Sequence, residues 1–158
     1  MYYPDLSPYT YSEYVLEEPA VELNVGWLVK EYAFPTGVVS EAFLDALFEC
    51  CLNSVNGMRG YHVCESCVDP PGELVSITKN GEQRLFKIHR MMEAERNGRQ
   101  VFIGGAEIRV QGLNNIVYAA PNLVYHYCSV HSYLPPLEFV HAVLHPYPKE
   151  WRLIERYT

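Results

Sequence analysis

Long apolar runs are missing from this chain. Lys30, Asp45 and Glu49 interrupt the best N-terminal candidates, and no run approaches the ~18 to 20 residues that a membrane-spanning helix requires. Residues 1–11 contain neither a basic stretch nor an apolar one, so the chain is not expected to open on a secretory leader. A disulfide framework is missing too: the five cysteines are an odd number at irregular spacing, with Cys50 and Cys51 adjacent. That usage suits a reducing compartment, and the cytoplasm is the expected location. Sequence repeats of roughly 20 to 50 residues are absent, which excludes solenoids and propellers. Basic residues are almost lacking from the first third, where Lys30 faces nine acids and the balance is −8, while residues 51–158 come to +1. Nucleic-acid affinity comes largely from Lys and Arg displacing counterions, so nucleic acid is not an expected partner. An acidic surface would instead steer a basic protein partner, with Glu13, Glu17, Glu18 and Glu22 as candidate contacts. A solvated acidic face that only maintains solubility is the plainer alternative.

What is present reads as one globular domain over residues 1–158, with 49% hydrophobic and 20% charged residues. A domain of this size buries roughly 70% of its unfolded surface and needs no metal merely to fold. Five tyrosines and three prolines among the first 20 residues describe an extended arm. Val21, Leu23, Val25 and Trp27 alternate, predicting a half-buried strand over 21–29. A turn at 34–37 leads to Ser40 as N-cap and an amphipathic helix over 41–52 carrying Phe43, Leu44, Leu47, Phe48 and Cys51 on its apolar stripe. Asn80-Gly81 between 74–78 and 84–88 predicts a β-hairpin, and a second is expected from 106–110 and 116–120 around residues 112–115. Residues 89–100 read as loop or short helix, and Gly104-Gly105 as a bulge or tight bend. Pro121 is expected to open a helix reaching about Ser132, a further helix is expected over 136–145, and residues 146–158 form an apolar tail expected to dock. The fold class is α+β, with strand 21–29 and both hairpins in one mainly antiparallel sheet packed against about three helices.

The sharpest local chemistry is His62-x-Cys64-x-x-Cys67, because two thiolates three positions apart on a turn can share one tetrahedral zinc ion. A second Cys-x-x-Cys is lacking, so a remote donor is required, and residues 126–131 offer His126, Cys128 and His131. Helical spacing sets Cys128 and His131 on one face and His126 on another, so the expected site is a structural zinc on Cys64 and Cys67 with His62 and one of His126 or His131. The alternatives are reduced thiols with histidines bonded to backbone carbonyls, or a redox Cys-x-x-Cys, which lacks its usual strand–helix setting. Cys50 and Cys51 are expected to be structural. His141 and His145 stand i, i+4 without an acidic or thiol neighbour and read as an exposed pair. Gly-x-Ser-x-Gly, His-Glu-x-x-His and phosphate-loop patterns are all absent.

Asn24-Val25-Gly26-Trp27, Phe34-Pro35-Thr36-Gly37, residues 56–60, His62-x-Cys64-x-x-Cys67, Ala106-Glu107-Ile108-Arg109-Val110, Tyr118-Ala119-Ala120-Pro121, His126-Tyr127, His131-x-Tyr133 and Pro135-Pro136 follow one another along the chain. Together they resemble the signatures of an uncharacterised bacterial family of small cytoplasmic proteins, from about Met1 to Leu144. The resemblance implies that His62, Cys64, Cys67, His126 and His131 belong to one pattern, outside which Cys50, Cys51 and Cys128 fall. It implies no activity, and the hairpin at Asn80-Gly81 looks peculiar to this sequence. The expected function is a non-enzymatic protein-binding protein, in its most concrete form an immunity or antitoxin-like inhibitor of a basic partner. A zinc-dependent hydrolase is the alternative.

Overall fold

The computed structural model describes residues 1–10, 14–16, 20–57, 60–146 and 153–155, with 14–16 and 153–155 described by backbone only. In chain order the elements are β1 (Tyr14–Leu16), β2 (Val21–Asn24), α1 (Glu41–Leu52), β3 (Gly72–Lys79), β4 (Glu82–His89), β5 (Met92–Arg96), β6 (Arg99–Ile103), β7 (Glu107–Gln111), β8 (Ile116–Pro121), α2 (Val124–Val130), α3 (Leu137–Leu144) and β9 (Leu153–Glu155). The class is α+β with mostly antiparallel pairing. Among the described residues no helix is long and apolar enough to cross a membrane.

At the centre lies a three-stranded sheet in the order β2-β8-β7, with β8 antiparallel to β7 and parallel to β2. Helix α1 starts where Ser40 Oγ accepts the Phe43 N–H at 3.1 Å, and Glu41 in its first turn suits the helix dipole. Its stripe of Phe43, Leu44, Leu47, Phe48 and Cys51 is buried against Ile108, Val110 and the aromatic residues of α2 and α3. Edge-to-face ring pairs join these elements, Phe43 with Phe139 at 6.4 Å and Phe48 with Tyr125 at 5.3 Å.

The other face of β7 is polar and still buried. Residues 3–9 run antiparallel along the outer edge of β2, where Leu6 N–H donates to Asn24 O at 2.7 Å and Tyr9 N–H to Glu22 O at 2.9 Å. The arm thereby covers an edge that would otherwise be open. Beneath it Tyr9 OH donates to both Glu107 carboxylate oxygens at 2.8 Å, and Arg109 Nη2 lies 3.0 Å from Glu107 Oε2. The Arg109 guanidinium sits 4.4 Å above the Tyr9 ring centre. Asp5 anchors the arm to the body, accepting Gly26 N–H at 2.9 Å and Tyr133 OH at 2.8 Å.

Several sequence-based expectations are corrected by this arrangement. Hairpin 74–88 forms as β3–β4 but stands apart from the central sheet, and β2 lies parallel rather than antiparallel to its neighbour. Alternation identifies the buried side of a strand and carries no information on direction. Strand 21–29 is shorter than its alternation suggests: Val25 N–H still reaches Ala119 O at 3.0 Å, and then Gly26 turns the chain at φ 72°. Residues 89–100 are neither loop nor helix, because Asn97 and Gly98, at φ 51° and 75°, close the β5–β6 hairpin as Asn80 and Gly81 close β3–β4. Pro121 ends β8 opposite Glu107, and α2 begins at Val124. In the C-terminal tail, Leu153–Glu155 pairs antiparallel with Tyr14–Leu16, and residues 147–152 and 156–158 lie outside the described part.

Candidate metal centre

Two segments far apart in sequence meet at one end of the central sheet. The first is the turn Cys64–Cys67, in which Cys67 N–H donates to Cys64 O at 3.4 Å. It is held by two backbone contacts: His62 N–H donates to Gly104 O at 2.8 Å, and Cys64 N–H points at the Met92 sulfur at 3.2 Å. Gly104 adopts φ 99°, and a side chain there would run into the His62 carbonyl. The bend predicted at Gly104-Gly105 is thus what lets the cysteine segment lie against the loop after β6.

The second segment is the end of α2. His126 lies within the helix and His131 is its C-cap residue, with φ −106°, ψ 8° and its N–H bonded to Tyr127 O. Ser132 then turns left-handed at φ 56°, and Tyr133 N–H also reaches Tyr127 O at 3.0 Å. His131 thus still makes the helix's own bond to the residue four before it and is the last position in register. The two imidazole rings come to 5.0 Å at 71° to one another.

Together the segments bring Cys64, Cys67, His126 and His131 into one cluster whose ligand atoms all lie within 4.8 Å of each other. Cys64 Sγ is 3.2 Å from His131 Nε2, and Cys67 Sγ is 3.2 Å from His126 Nε2 and 3.4 Å from His131 Nε2. Metal–sulfur and metal–nitrogen bonds of about 2.3 and 2.0–2.1 Å place S and N donors about 3.5 Å apart across a tetrahedral angle. The spacing accommodates one ion with little movement. Cys64 is buried and the other three are half-buried.

Burial shapes the donors. It pushes the Cys67 thiol up to about 11, helped by Cys64, and holds His126 down to about 4, helped by His131. His126 is thus a neutral imidazole at ordinary pH, the form that binds metals, whereas Cys67 must lose its proton to become a ligand.

Of the residues singled out from sequence, His62 does not join the cluster: it is exposed, and its backbone rather than its ring makes the structural contact. Both late histidines join instead of one, and Cys128 turns into the core, where burial pushes its thiol up to about 12. Cys50 and Cys51 are held away in α1, with Cys51 fully in the core, and among the described residues all cysteines are free. His141 and His145 pair with each other, rings 4.7 Å apart. Glu22 is turned inward, its Oε1 3.5 Å from Arg109 Nε, and Glu13, Glu17 and Glu18 lie outside the described residues. Sequence reading did not single out the Glu107–Arg109 pair, which is buried where the arm covers the sheet.

An α+β domain carrying a Cys2His2 cluster able to hold a metal ion is the class that fold and site define. The chain belongs to the family described as a domain of unknown function, DUF7919, which matches residues 1–144. No curated protein and no solved structure matches it.

Proposed function

We propose that the protein holds one zinc ion through Cys64, Cys67, His126 and His131, and that the domain so braced is a non-catalytic binding protein for a basic partner in a reducing compartment. The observation that carries the metal reading is the convergence of two thiols and two imidazole Nε2 atoms from separate segments within 4.8 Å. A tetrahedral S2N2 set selects zinc among the common divalent ions. Four protein ligands leave no open position for water, which favours a structural centre over the hydrolase alternative.

The partner reading rests on the acidic balance of residues 1–50 and the arm tyrosines other than the buried Tyr9, since aromatic anchors with complementary charge favour specific docking. With Glu22 facing Arg109, Glu13, Glu17 and Glu18 are the acids on which it stands. An immunity or antitoxin-like inhibitor is its most concrete form.

Elemental analysis of tag-free protein tests the metal: one equivalent of zinc is expected, and less than about a tenth of an equivalent in folded protein rejects the site. A pull-down from the native host at low and high salt, repeated with Glu13, Glu17 and Glu18 reversed to lysine, tests the partner. Recovery of no basic protein, or of one indifferent to the reversal, rejects that part.

A further inference from the structure

The β3–β4 ribbon is the one element pair whose apolar residues have nothing to cover them among the described residues. On one face Ile77 and Phe86 are 48% exposed each and Ile88 53%, and on the other Leu74 and Leu85 are 73% and 70% exposed. An isolated two-stranded hairpin is marginal in water, and three or more strands with an apolar face are the usual minimum. Among the described residues the outer edge of β3 is unpaired, and it carries neither proline nor bulge, the devices that ordinarily blunt an open edge. From this edge and its charges we infer that β3 pairs with β3 of a second copy of this chain, antiparallel about a two-fold axis at Ser76.

Hydrogen bonding selects which residues face outward. Lys79 and Glu82 close a two-residue turn and face each other across the ribbon, so they exchange both backbone bonds, as do Ile77 with Arg84 and Val75 with Phe86. The N–H and C=O groups of Leu74, Ser76 and Thr78 then point away from β4. A two-fold axis at Ser76 sets Ser76 against the partner's Ser76 and Leu74 against the partner's Thr78, so that outward groups meet outward groups.

Side chains select the same register. Glu73 falls opposite the partner's Lys79, and by symmetry Lys79 falls opposite the partner's Glu73. Val75 falls opposite the partner's Ile77, in the non-hydrogen-bonded sites where side chains approach closest. Because Glu73 is the only acid of β3 and Lys79 its only base, no other two-fold register matches their charges. On β4 the one register that sets acid against base is centred on Gln83, and it overlaps only the residues next to the turn. The four-stranded sheet formed through β3 joins Phe86, Val75 and Ile77 of both copies into one apolar strip flanked by ion pairs, an isologous interface.

Sedimentation velocity on the zinc-loaded full chain, as a function of concentration and salt, provides the test. The wild type is expected to dimerise at micromolar to millimolar concentration. Glu73→Lys alone and Lys79→Glu alone each set like charges opposite one another at two places, and each is expected to weaken the dimer on the order of ten-fold. A mixture of the two single variants restores both ion pairs and is expected to form the heterodimer in preference to either homodimer. Ser76→Pro removes an outward N–H without touching the ribbon's own ladder and is expected to be monomeric, with circular dichroism unchanged. A wild type that stays monomeric at millimolar concentration overturns the inference. So does a dimer that survives Ser76→Pro, or single variants that show no preference for each other.

Discussion

At the residue scale the cluster separates ligands from bystanders that share the same short motif. His62→Ala is expected to retain a full equivalent of zinc, because the His62 ring takes no part in the cluster. Cys64→Ser, Cys67→Ser, His126→Ala and His131→Ala are each expected to lower affinity by about 100-fold or more, read by competition with a chromogenic chelator. The sequence disclosed the donor types and both segments. It could not disclose that both histidines reach the thiols, because helical spacing alone sets His126 and His131 about 140° apart while their long side chains converge on the cysteine turn. Arg109 poses a different question, since its guanidinium is fully buried between Glu107 and Glu22. Arg109→Leu leaves the buried Glu107 carboxylate without its counter-charge and is expected to cost about 3–5 kcal/mol in urea unfolding. Alternating charged and apolar residues on β7 resemble a surface strand, so nothing local in the sequence distinguishes this pair from solvated side chains.

Among the elements, legibility followed the strength of the local signal. Helix α1 has a cap, an acidic first turn and five core residues at helical spacing, and its boundaries could be read directly. The β5–β6 hairpin has only five residues per strand, with Met92 and Ala94 as its buried side, so alternation alone was too short to reveal it; the Asn97-Gly98 turn was the usable signal. Metal binding is an element-level event as well, since it ties the 64–67 turn to the end of α2. Chelation is therefore expected to raise amide exchange in residues 62–67 and 126–133 before it affects α1 or β7–β8, as followed by hydrogen–deuterium exchange with mass spectrometry. Simultaneous loss of protection throughout the chain would show that the centre supports the whole fold rather than one corner of it.

For the whole molecule, zinc binding is coupled to protons. His126 is already neutral above about pH 4, whereas the Cys67 thiol, held up to about 11 by burial, must give up a proton to bind near neutrality. At least the Cys67 proton is expected to be released at pH 7 to 8, which makes binding tighter by at least about ten-fold per unit rise in pH and weaker in acid. Calorimetry in buffers of different ionisation enthalpy reads the number directly; a value near zero would mean that Cys67 is not a ligand. The parallel pairing of β2 with β8 has a consequence of another kind, in time rather than in space. Val21 aligns with Ile116, roughly 95 positions later, which a ribosome adding ~5–20 residues per second needs about 5–20 s to make. Throughout that interval β2, and the arm that lies along it, have no sheet to join, while the later hairpins can close as soon as they emerge. The strand and the arm made earlier are thus placed only after the later hairpins, and nine acids against Lys30 alone over residues 1–50 keep that segment hydrated while it waits.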